Sequence, residues 1–90
     1  MKLAEFTYTK ANGDVSQRVA VVESEPANNY QCLDVSELDT DQFAQFTQEY
    51  NQLLGKWLET KAQLLAKYDL THNIRQFVPQ RMTNVALEWV

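Results

Sequence analysis

The chain has 90 residues, 44% apolar and 22% charged, with 12 acids against 8 bases for a formal net charge of −4. That length supports one domain and excludes a second independent core, because a chain of this size buries only ~60–65% of its unfolded surface. Near-average composition argues against disorder, no apolar run approaches the ~20 residues of a membrane span, and net acidity argues against non-specific binding to duplex DNA, where Lys and Arg contacts to phosphate supply most of the affinity.

Leu3 to Lys10 alternates and is rich in β formers, Ala11-Asn12-Gly13-Asp14 is a turn sequence that accepts positive φ, and Val15 to Glu23 returns. The pattern predicts a hairpin over 3–23. Glu25-Pro26-Ala27-Asn28-Asn29 breaks the periodicity, and Tyr30 to Val35 reads as a third strand with Tyr30, Cys32 and Asp34 on one face. Ser36 and Thr40 are both good N-caps with acids just after them.

From Thr40 to Tyr68 the apolar residues follow a helical period through Phe43, Phe46, Tyr50, Leu53, Leu54, Trp57, Leu58, Leu64, Leu65 and Tyr68. One helix over 40–68 would span ~43 Å, longer than a small sheet can cover, unless it bends near Gly55. Either the helix closes the open end of the sheet, or some of Phe46, Tyr50, Leu53, Trp57 and Leu64 remain available to a partner, a second copy of the chain being the simplest. Lys61 interrupts the apolar face and is expected to reach a rim.

After Asn73, a strand over 74–78 ends at Pro79, which cannot donate to a ladder and belongs in a turn. Thr83 to Val90 reads as the last strand, with Val85, Leu87 and Trp89 facing inward. Strands at both ends and a helical pattern between them give an α+β class.

Charge is unevenly distributed. Between Arg18 and Lys56 there is no Lys or Arg, while Glu23, Glu25, Asp34, Glu37, Asp39, Asp41 and Glu49 all fall there. A solvated face, an acidic surface for a protein partner centred on Glu37, Asp39 and Asp41, and nucleic-acid mimicry all fit that pattern. The lone Cys32 cannot form an internal disulfide, and one thiol with one histidine, His72, cannot build a zinc site, so no metal or other cofactor is expected. Cys32 also lacks a nearby base, which argues against an enzyme. With no hydrophobic signal core in Met1 to Glu5, a cytoplasmic protein is expected.

Two distant segments carry a family likeness. FTYTKANGDVSQRVAVV at 6–22 delivers Arg18 into a β-branched strand, and IRQFVPQRMTNVALEWV at 74–90 contains an Arg-x-Phe-x-x-x-Arg run formed by Arg75, Phe77 and Arg81. Together they resemble the WYL domain, an SH3-like module. The chain departs from that family in lacking its signature tripeptide and in inserting about forty residues before the last strands. The resemblance implies a five-stranded SH3-like β-barrel, into which the long helix read from periodicity is inserted between strands three and four. It also implies a ligand site for a nucleotide or single-stranded nucleic acid at Tyr8, Arg18, Arg75, Phe77 and Arg81. Clustered guanidiniums suit phosphate, although the same arginines could instead pair with Asp14, Asp34 or Glu88 to pin the fold. The expected function is a non-enzymatic interaction protein, a phage or mobile-element accessory or inhibitor that binds a host protein; a regulatory module binding a nucleotide or single-stranded nucleic acid is the alternative.

Overall fold

A computed structural model describes residues 1–24, 29–53 and 58–89. The strands are β1 (Lys2–Thr9), β2 (Val15–Ser24), β3 (Tyr30–Asp34), β4 (Ile74–Phe77) and β5 (Met82–Trp89), with helices α1 (Thr40–Gln52) and α2 (Leu58–Lys67) between β3 and β4. They form one five-stranded antiparallel sheet in the order β4-β3-β2-β1-β5. The predicted hairpin is present: Gly13 holds φ at +91°, and Lys10 and Asp14 close the turn through a 2.8 Å backbone hydrogen bond. Pro79 opens a 3₁₀ turn, Pro79–Arg81, that leads from β4 into β5.

The sheet is open rather than a closed barrel, with β4 and β5 as its edges. The single helix over 40–68 is instead two helices, α1 and α2; the expected bend at Gly55, together with Leu54 and Trp57, lies outside the described residues. The helix cap also differs. Asp39 is the N-cap, its carboxylate accepting from Gln42 N at 2.8 Å while the Gln42 side chain accepts from Asp39 N at 3.1 Å. Ser36 is not free for that role, because its hydroxyl exchanges hydrogen bonds with the Val19 backbone on β2.

The sheet buries apolar residues on both faces. On one, Leu3, Val21, Leu33 and Val35 meet Phe46 of α1, Leu64 and Leu65 of α2, and Leu70. Phe46 is fully buried and packs at a tilt against Tyr50 and edge to face against Tyr68, with ring centroids at 5.6 and 5.5 Å. On the other face Ala4, Phe6, Ala20, Cys32 and Phe77 form a second cluster, with Tyr8, Tyr30 and Met82 packed around it. Strands β1 and β4 are separated by β2 and β3, which in a flat sheet would place them ~14 Å apart. Yet Phe77 lies 5.0 Å from Phe6 and 4.9 Å from Tyr8 between ring centroids. The sheet therefore curls, and β4 is carried over the inner face of β1.

The last strand differs most from its sequence pattern. Val85, Leu87 and Trp89 remain 44%, 46% and 79% exposed rather than buried. Alternation predicts one shared face, but β5 is an edge strand, and nothing among the described residues covers that face at its far end.

Candidate functional site

The curl brings together residues that are far apart in sequence. Arg18 on β2, Asp34 on β3 and Arg75 on β4 project from the inner face, in line with Ala20, Cys32 and Phe77. Asp34 is the one buried charged residue among those described, with 3% exposure. Its Oδ2 lies 3.0 Å from Arg18 Nη1 and 3.7 Å from Arg75 Nε, and its Oδ1 accepts from Ser36 N at 3.0 Å. The first arginine contact is a hydrogen-bonded ion pair; the second is an ionic contact only, too long for a hydrogen bond. Arg18 is held further by donating from Nε to Ser16 Oγ at 3.1 Å.

This geometry divides the two guanidiniums. Arg18 is committed to Asp34 and Ser16, with its side chain only 25% exposed, while Arg75 is 52% exposed and keeps most of its donors free. Asn73 sets the register that allows this: its side chain donates to Asp34 O at 3.2 Å and its carbonyl accepts from Asp34 N at 2.9 Å. The first residue pairs of β4 are thereby fixed beside the end of β3, with Cys32 opposite Arg75.

Beside the arginines is a cleft of about 490 Å³ lined by Tyr8, Lys10, Arg18, Ile74, Arg75, Gln76 and Phe77. Among the described residues three cations and no acid line it, with Asp34 paired to Arg18 beside it, so a chain that is acidic overall is locally basic here. Tyr8 and Phe77 meet edge to face, supplying a rigid aromatic wall. Of the five residues that the family likeness points to, the cleft includes Tyr8, Arg18, Arg75 and Phe77. Arg81 is exposed in the 3₁₀ turn and does not line it. Lys10 was not singled out from the sequence, although the hairpin register that carries it to the end of β1 was readable.

Comparison with protein-family models, with curated proteins and with solved structures finds no match to this chain.

The other candidate residues are placed differently. Phe46 and Leu64 are in the core, Tyr50 and Leu53 are half-buried against it, and Trp57 lies outside the described residues. Tyr50 donates to Glu23 Oε2 at 3.1 Å, and Lys61 Nζ lies 2.7 Å from Glu23 Oε1 as an ion pair without hydrogen-bond geometry. Burial, followed by the Glu23 carboxylate, pushes the Tyr50 phenol well above its ordinary pKa. Lys61, which interrupts the apolar period, is thus tied to β2. On the helices' outer side, Glu49 accepts from Lys67 at 2.6 Å and from Tyr68 at 2.9 Å; these two bonds lower its pKa against a smaller opposing effect of burial.

Glu37, Asp39 and Asp41 are exposed around the start of α1. A shallow groove of about 220 Å³ runs beside them, with Val19, Val35, Leu38 and Phe43 in its walls and Glu5 and Asp39 at its rim. Among the described residues no group of His, Cys, Asp and Glu could hold a metal ion, and no helix is long and apolar enough to cross a membrane.

Proposed function

We propose that this protein is a non-enzymatic binding module whose principal site is the basic, aromatic-walled cleft, taking a nucleotide or a short single-stranded nucleic acid. The observation that carries the reading is the convergence of Tyr8, Lys10, Arg18, Arg75 and Phe77 on one cleft from three strands and a turn. Arg75 and Lys10 supply donors for a phosphate, the half-buried Tyr8, backed edge to face by the buried Phe77, offers ring surface to a base, and Arg18, pinned by Asp34, holds the cleft's floor. The WYL-like reading of the two terminal segments agrees with a ligand at these positions. Net acidity of the whole chain argues for a small or single-stranded ligand rather than duplex DNA.

Fluorescence anisotropy with a labelled oligodeoxythymidylate, competed by adenosine monophosphate, tests this. Binding should weaken as salt rises and should fall in Arg75→Ala. Binding that is absent at low salt, or that is indifferent to Arg75, contradicts it.

A second reading is favoured by the groove beside α1, where the exposed Glu5 and Asp39 border an apolar floor and Glu37 and Asp41 are exposed around the helix start. It fits a basic, partly apolar segment of another protein, in keeping with an accessory or inhibitor protein that binds a host factor. Loss of partner capture in a Glu37→Lys, Asp41→Lys variant, with anisotropy unchanged, would favour this reading over the first.

A further inference from the structure

The exposed edge strand β5 carries an inference separate from the cleft. Among the described residues its backbone pairs with β1 on one side, and no strand pairs with the other row of N–H and C=O groups. Residues at i, i+2 and i+4 share a face, so Val85, Leu87 and Trp89 form an apolar row along this edge, all of them more than two-fifths exposed. Monomeric proteins usually blunt such an edge with lysine, proline or a bulge. Here the bulge lies at one end, where Asn84 has φ of +54° and the register against β1 slips between Glu5 and Thr7. Beyond it, Ala86 to Trp89 pairs regularly and carries a single charge, Glu88.

We infer that β5 is a self-association edge, at which two copies of the chain pair antiparallel about a two-fold axis through Leu87. Sheet geometry leads to this register. A two-fold axis perpendicular to a sheet must place some residue opposite its own copy, because only then do facing side chains point to the same side. With Leu87 at the axis, Val85 of each copy faces Trp89 of the other, so every member of the apolar row meets an apolar partner. On the reverse face Ala86 is opposite Glu88, and no acid faces an acid. Centring the pair on Val85 instead would set Leu87 against Thr83 and Trp89 against Arg81, and would draw the Asn84 bulge into the ladder. Centring on Ala86 would set Trp89 against Thr83, and centring on Glu88 would set acid against acid, so the edge is complementary to itself in the Leu87 register. That favours a second copy over an unrelated strand.

Sedimentation velocity of the full chain from micromolar to millimolar concentration reads the association, and two variants locate it. Leu87→Lys sets two ammonium groups across the axis, where like charges oppose pairing, and should weaken dimerisation at least roughly tenfold. Because Leu87 is 46% exposed, the far-UV circular dichroism spectrum should not change. Leu87→Cys brings two thiols to cross-strand distance, about 4.5–5.5 Å between Cβ atoms, and under mild oxidation should form an intermolecular disulfide. Val15→Cys, at a 64% exposed position in the hairpin, should do so much more slowly. The buried Cys32 contributes to neither. A wild type that stays monomeric throughout, a Leu87→Lys protein that dimerises as the wild type does, or a Leu87→Cys protein that cross-links no faster than Val15→Cys would each overturn the inference. If Leu87→Lys does not fold, the rates of the two cysteine variants decide the matter.

Discussion

Replacing Asp34 by asparagine should move stability and ligand affinity in opposite directions. Asp34 is 3% exposed and accepts from Arg18 at 3.0 Å and from Ser36 N at 3.0 Å, with Arg75 at 3.7 Å. Asparagine keeps an oxygen for Ser36 but loses the charge, leaving Arg18 with a neutral partner. Breaking a fully buried pair costs about 3–5 kcal/mol, but Arg18 reaches water along one side, so about 1–2 kcal/mol is the expected loss. In a domain of this size that lowers Tm by roughly 5–15 °C. At the same time one negative charge disappears beside the cleft. A phosphate about 6 Å away would gain about 1 kcal/mol after solvent and salt screening, roughly fivefold in affinity. Thermal denaturation by circular dichroism and anisotropy with oligodeoxythymidylate read the two effects separately. A lower Tm with unchanged or weaker binding would refute the placement of the anion beside Arg18 and Arg75. An unchanged Tm would refute the structural role given to Asp34.

Phe46→Ala removes a fully buried ring that joins both helices to the sheet, and urea denaturation should show a loss of about 3–5 kcal/mol, enough to unfold much of the population if total stability is near 5 kcal/mol. Gly13→Ala meets no atom within 4 Å but must hold φ near +91°, so the same assay should show about 1 kcal/mol of destabilisation without loss of fold. Glu49 has a folded pKa below its ordinary 4.5; its contribution to stability is complete above that value and is lost as pH falls through the lowered one, a limb of the stability–pH curve that Glu49→Gln should flatten. Tyr50 has a raised folded pKa, so its contribution is complete below 10 and is lost as pH rises towards the folded value; tyrosinate absorbance should show a late-ionising group that Tyr50→Phe removes.

Local signals in the sequence were readable where one residue type answers one backbone demand. Asn12-Gly13 marks the hairpin because Gly13 takes positive φ at little cost, and Pro79 marks the turn before β5 because it cannot donate to a ladder. Alternation located the strands, but it does not reveal which strand lies at an edge. Val85, Leu87 and Trp89 alternate as a core strand does and are nevertheless exposed, because β5 is an edge strand that β1 alone flanks among the described residues. Helical periodicity runs through Leu53, Leu54 and Leu58, so it could not separate α1 from α2. Long-range polar pairing was the least legible. Lys61 finds Glu23 across 38 positions, and of three acids near the arginines in the sequence reading, Asp34 alone takes Arg18 and Arg75, while Asp14 accepts from Asn12 within the turn. Four of the five cleft residues suggested by family likeness converge there because the sheet curls, a feature that no local pattern encodes.

Titrating ¹⁵N-labelled protein with adenosine monophosphate and following each backbone amide by NMR shows whether the cleft between β1, β2 and β4 binds the ligand. Saturable shifts concentrated at Tyr8, Lys10, Arg18 and Arg75 to Phe77, and abolished by Arg75→Glu in a protein that keeps its fold, are the predicted result. Shifts confined to the groove beside α1 around Leu38, Asp39 and Phe43, or shifts at the cleft that persist in Arg75→Glu, would contradict it.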